Sequence, residues 1–152
     1  MVDLKRILLV EDNPNDVELA LAALCDYNLA NEVVVAKDGV EALDYLYRRN
    51  GFSERHEGHP AVVLLDLKMP KVDGIEVLRT VKGDEKLKMI PVVMMTSSRE
   101  ERDLVESYRL GVNAYVVKPI EFTEFMKAVR ELGVFWAAIN EPPPACIARK
   151  RS

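Results

Sequence analysis

A doubly wound α/β fold around a parallel sheet is the architecture this sequence predicts, and two observations carry it. Short apolar runs recur at Lys5–Val10, Asn31–Ala36, Val62–Leu65, Val92–Met95 and Ala114–Val117, the pattern of strands buried on both faces. Segments with helical spacing of apolar residues separate them, and crossovers of that length join parallel neighbours. The 152 residues suit one domain with a substantial core.

Each element has its own local reason. After the first strand Asn13 reads as an N-cap, and Pro14 supplies a fixed φ at the first helical position. Val17, Ala20, Leu21 and Leu24 form that helix's apolar face. Asp38 and Glu41 have capping-box spacing ahead of a helix carrying Val40, Leu43 and Leu46. From Arg48 to Pro60 the rhythm breaks at Gly51, Gly58 and Pro60, so an exposed loop is expected. His56 and His59 lie in that loop, and with no firm third ligand they read as solvated residues, since zinc needs three or four. Asp73 and Glu76 open the next helix, with Ile75, Leu78 and Val81 inward, and Gly83-Asp84-Glu85 ends or loosens it. Pro91 stands at the entrance to the fourth strand, where a missing donor costs least. Ser98 and Glu101 cap a helix bearing Leu104, Val105 and Tyr108, which Gly111 stops. Phe122 to about Leu132 is the last strong helical pattern.

Composition excludes several functions. Hydrophobic residues make up 49% of the chain, which marks a globular class. The net charge of −4 argues against nucleic acid as a partner, because affinity for phosphate backbones comes from cations. No stretch has the length of a membrane span and no signal-peptide core is present, so no membrane contact is expected and the compartment is the cytoplasm. Cys25 and Cys146 fit neither a disulfide framework nor a metal knuckle, and two free thiols are expected.

The chemistry lies where strands stop. Glu11-Asp12 closes the first run, Asp66 the third and Thr96 the fourth, and Lys118 follows the fifth. In an open α/β sheet the carboxyl ends of parallel strands share one edge, where ligands bind. Carboxylates, a hydroxyl and an ammonium meeting there make a site for a divalent metal and a phosphoryl group. Taken singly, each has a plainer reading. Glu11-Asp12 could complement a helix dipole, Thr96 could simply end a strand, and Lys118 could be a solvated surface charge.

Together, and in this order, these residues resemble the receiver domain of two-component response regulators (CheY-like), over roughly residues 4 to 138. The resemblance implies a flavodoxin-like sheet of five strands in the order 2-1-3-4-5. It implies a phosphoacceptor that is not an enzyme in its own right: Asp66 takes a phosphoryl group from a phosphohistidine on a sensor histidine kinase. A carboxylate needs no separate base for this, being ionised at neutral pH. Magnesium is the expected cofactor, held by Asp12, Asp66 and the Lys68 carbonyl, with Glu11 acting mainly through water; oxygen donors of this kind suit it. Lys118 and Thr96 would meet the phosphoryl oxygens, and Lys118-Pro119 is expected to be a cis peptide. Thr96 and Tyr115 form the implied switch pair, the alternative for Tyr115 being a plain core aromatic. The implied output is a population shift read by protein contacts at the fourth helix, fifth strand and fifth helix. Lys68 and Ser98, each two positions past a key residue, are not water-orienting acids or amides, so slow loss of the phosphoryl group is expected.

The domain is expected to end near residue 138, and 139–152 to form an extended or partly disordered tail. Val134 to Ile139 is too apolar for open water, and Pro142-Pro143-Pro144 imposes an extended course. Phe135 and Trp136 either fold back on their own domain or form a homodimer contact. This ending, with the Arg48–Pro60 loop, resembles single-domain regulators paired with bacterial phytochrome histidine kinases, and nothing after residue 140 is long enough for an output domain. Two other classes share part of this pattern. A magnesium-dependent α/β phosphohydrolase usually has a second acid two residues past its nucleophile, where this chain has Lys68. A phosphate-independent pseudo-receiver usually lacks an acid or the lysine, and here none is lost.

Overall fold

The apolar runs pair side by side into one all-parallel sheet. The computed structural model describes residues 6–26, 32–54, 58–67, 69, 73–96, 109–112, 114–118, 123–124, 127 and 147–150. Its strands are β1 (Arg6–Val10), β2 (Glu32–Ala36), β3 (Val62–Asp66), β4 (Val92–Thr96), β5 (Ala114–Val117) and β6 (Ile147–Lys150). The sheet order is β5-β4-β3-β1-β2-β6, which contains the expected 2-1-3-4-5 arrangement and adds a strand outside β2. Ile7, Leu8, Leu9 and Val10 of central β1 are fully buried. At about 1.5–3 kcal/mol for each such side chain, their burial offsets the ~1–2 kcal/mol per residue lost in ordering the backbone.

Period-two alternation sends successive side chains to two cores. Ile7, Leu9, Val33, Val35, Leu64 and Met95 pack on α1 (Pro14–Asp26), through Val17, Ala20 and Leu24. Leu8, Val10, Val34, Leu65 and Met94 pack on α2 (Gly39–Tyr47) and α3 (Gly74–Gly83), through Leu43, Leu46, Leu78 and Val81. Helices on both faces make the sheet doubly wound.

The caps explain where these helices begin. Asn13 Oδ1 accepts from the Asn15 and Asp16 amides at 2.8 and 3.3 Å. Asp38 accepts from the Glu41 amide at 2.8 Å and Asp73 from the Glu76 amide at 3.0 Å. Such a cap contributes about 1 kcal/mol. Helix α2 ends with Arg48 at φ 56°, its N–H donating back to Asp44 and Tyr45. In the following loop a short 3-10 turn, Asn50–Phe52, sets Phe52 edge-on to Tyr45 with ring centres 5.2 Å apart.

The thiol expectation is corrected: Cys25, on α1, is disulfide-bonded. The chain's only other cysteine is Cys146, immediately before β6. That strand lies parallel to β2, pairing Ile147 with Glu32 and Lys150 with Val35. Spacing along the chain carries no trace of β6 joining the β2 edge. Most of the helices expected after Ser98 and Phe122 lies outside the described residues, as do Phe135, Trp136 and the proline run.

Candidate functional site

Backbone hydrogen bonds that continue the ladder past the strand ends hold the key residues in place. The Glu11 amide donates to the Ala36 carbonyl at 2.9 Å, the Leu67 amide to Met95 at 3.0 Å, and the Lys118 amide to Thr96 at 2.9 Å. Asp66 therefore stands level with Met95, and Thr96 with Val117. All lie on the edge formed by the carboxyl ends of the strands, as the sequence predicts.

Gly74 sets how closely α3 approaches that edge. Its amide donates to the Leu67 carbonyl at 3.1 Å, and a Cβ there would lie 2.2 Å from the Asp66 carbonyl oxygen. Only glycine lets the helix start against the residue that ends β3.

Three acids meet at the edge. One carboxylate oxygen each from Glu11, Asp12 and Asp66 lies within 4.8 Å of the others. Glu11 and Asp66 are buried, and Asp12 is exposed. The Lys118 ammonium reaches into this group, 2.5 Å from Glu11 Oε2 and 3.1 Å from Asp66 Oδ1. A third contact goes beyond the residues that the strand ends single out: Lys118 also pairs with Asp16 Oδ2 at 3.0 Å. Asp16 lies in the first turn of α1, four residues past Asp12 along the chain. That spacing was the one signal in the sequence, and an acid in a first helical turn is too common to stand out.

Charge and burial oppose each other here. Burial pushes Glu11 from its ordinary 4.5 up to about 7, against hydrogen bonds from Lys118 and the Asn13 amide that favour the ionised form. Burial raises Asp66 as well, with the Lys118 charge pulling the other way. For Lys118, burial alone would lower the pKa, but hydrogen bonds to Glu11 and Asp16 and the charge of Asp66 lift it above the ordinary lysine value. One ammonium thus pairs with three carboxylates, with Asp12 beside them, and does not neutralise the four. Hard oxygen donors short of positive charge fit a divalent cation.

Thr96 closes β4 with 3% of its surface exposed. By alternation it points to the face that carries Val92 and Met94, and partly buried Tyr115 of β5 packs against that same cluster. The fold thus brings together Glu11, Asp12, Asp66, Thr96 and Lys118, with Tyr115 on the face that Thr96 points to. Lys68, Ser98 and Pro119 lie outside the described residues.

Comparison with known proteins agrees with this geometry. The family model of the response regulator receiver domain matches residues 7–130. The solved bacteriophytochrome response regulator AtBRR is 66% identical, with 92% of this chain and 100% of that one covered and a TM-score of 0.86. Response regulator Rcp1 of Synechocystis sp. is 37% identical over 93% of this chain and 95% of its own. Its Mn(2+)-bound form superposes with a TM-score of 0.71, at 36% identity over 92% of this chain and 99% of that one. The phosphorylated cyanobacterial phytochrome response regulator RcpA is 38% identical, with 93% and 100% covered and a TM-score of 0.74. An acid-lined strand edge, a lysine reaching across it and a family match spanning most of the sheet lead to one conclusion: this chain belongs to the response regulator receiver domain family, among relatives of the phytochrome response regulators.

Proposed function

We propose that Asp66 is the phosphoacceptor of a two-component pathway and that its donor is a phosphohistidine on a sensor histidine kinase, a bacteriophytochrome by the relationship to AtBRR. The observation that carries the reading is the Lys118 ammonium 3.1 Å from Asp66 Oδ1, beside three carboxylates grouped closely enough to share an ion. In the transfer an Asp66 oxygen attacks phosphorus in line, the P–N bond breaks, and its electron pair returns to the imidazole of the donor. Lys118 and the Thr96 hydroxyl meet the equatorial oxygens. Glu11, Asp12, Asp66 and the Lys68 carbonyl would hold magnesium, which supplies positive charge to the phosphoryl oxygens. The Mn(2+)-bound form of Rcp1 supports a divalent ion in this role.

The new phosphoryl group brings about two negative charges. Thr96 is drawn toward it, and the space vacated on the Tyr115 face lets that ring turn inward. Both arrangements pre-exist, and phosphorylation favours the one that binds it better. The readout is protein contact at the β5 surface and its neighbouring helices, including a homodimer that uses Phe135 and Trp136, with Lys118-Pro119 cis. Nucleic acid is not a partner on this reading, in keeping with the net charge of −4. Among the described residues no helix is long and apolar enough to cross a membrane, and the cytoplasm is the proposed compartment.

Incubation with magnesium and acetyl phosphate, followed by intact mass measurement, tests the assignment. One phosphoryl adduct per chain is expected, absent in Asp66→Asn and in chelator. An equal adduct on Asp66→Asn, or continuous turnover of phosphate esters, contradicts it.

A further inference from the structure

Of the three carboxylates around Lys118, Glu11 and Asp66 belong to the group able to hold a metal, and Asp16 does not. An ion held by Glu11 and Asp66 would compete for carboxylates that otherwise hold the ammonium, and its own charge would repel that ammonium. Asp16 approaches from the first turn of α1, with 30% of its side chain exposed against 12% for Lys118. Of the three described partners of the lysine, it alone lies outside the group able to hold a metal. A four-carbon stem left without such a partner has many conformations to lose before its ammonium can meet a phosphoryl oxygen.

We propose that Asp16 is a positioning residue: it holds the Lys118 ammonium beside Asp66 while Glu11 and Asp66 serve the metal, so that the lysine is in place when phosphorus arrives. The inference rests on the phosphoacceptor reading. The helix N-terminal position of Asp16 gives it a purely structural alternative role, offsetting the macrodipole, and the test must separate the two.

Two measurements on the full chain do so. In the first, nitrogen-15 NMR follows the side-chain ammonium signal of Lys118, which is visible only while held against exchange with water. In the parent it persists when magnesium is added. In Asp16→Asn it broadens beyond detection on magnesium addition, and in Asp16→Glu it returns. In the second, the rate of labelling by phosphoramidate at saturating magnesium falls about tenfold in Asp16→Asn. Most of that rate is recovered in Asp16→Glu, because a carboxylate one methylene longer still reaches a flexible lysine.

A macrodipole role would lower the melting temperature of Asp16→Asn and leave the ammonium signal and the rate at parent values; that result overturns the proposal. A parent that takes no label at Asp66 overturns the phosphoacceptor reading instead, and the ammonium signal alone then decides the role of Asp16.

Discussion

At Glu11, a carboxylate 1% exposed is asked to stay ionised beside two other acids with one lysine for company. Its displacement to about 7 has a thermodynamic consequence with a definite sign. Between pH 4.5 and about 7 the folded protein keeps a proton that the unfolded chain has released. Stability is therefore lost as pH rises through that window, and the raised Asp66 acts in the same direction. The lowered pKa of Asp84 acts below the window and does not disturb it. In chelator the melting temperature is expected to be higher at pH 5.5 than at pH 8. Saturating magnesium should reverse that order, because the metal binds only the deprotonated cluster. A melting temperature that climbs steadily with pH in chelator contradicts the burial argument.

The same residues show what a sequence can reveal at this scale. Glu11, Asp66, Thr96 and Lys118 were legible because each interrupts or follows an apolar run, and an interruption at a strand end points to one edge. Asp16 interrupts nothing. It belongs to an ordinary polar helix face, and only the folded distance to Lys118 distinguishes it.

Among the elements, α3 and β3 depend on one missing side chain. A methyl group at Gly74 would meet the Asp66 and Leu67 backbone at 2.2 to 2.9 Å, and neither strand end nor helix start has a flexible tip to yield. Gly74→Ala is expected to cost about 1–3 kcal/mol in denaturant unfolding, the usual range for overpacking. Magnesium affinity should weaken with it, since relief requires shifting Asp66. Parent-like stability and affinity would mean that the close approach is not needed. Strands β1 to β5 could be read from their apolar runs. Ile147-Ala148-Arg149-Lys150 could not, because half of it is cationic and it follows a proline run. It becomes a strand because β2 offers an open edge of unpaired backbone groups. The disulfide at Cys25 was hidden for the same reason.

For the molecule as a whole, function follows from strand order. Placing β3 between β1 and β4 sets Asp66 between the Glu11-Asp12 pair and Thr96, and β5 brings Lys118 back across the edge. Alternation of apolar runs and helices in the sequence indicated a doubly wound sheet. The order itself came from the family resemblance, since apolar runs do not say which strands are neighbours.

On the proposed function, groups distant in the chain converge so that one carboxylate is phosphorylated reversibly. Borohydride reduction of the phosphorylated protein, followed by peptide sequencing by mass spectrometry, tests it at the atom concerned, because acyl phosphates of aspartate are reduced to homoserine. Conversion at position 66 alone, lost when magnesium is withheld and strongly reduced in Lys118→Met, is the predicted result. Conversion at another acid, or at position 66 with equal yield in Lys118→Met, would contradict it.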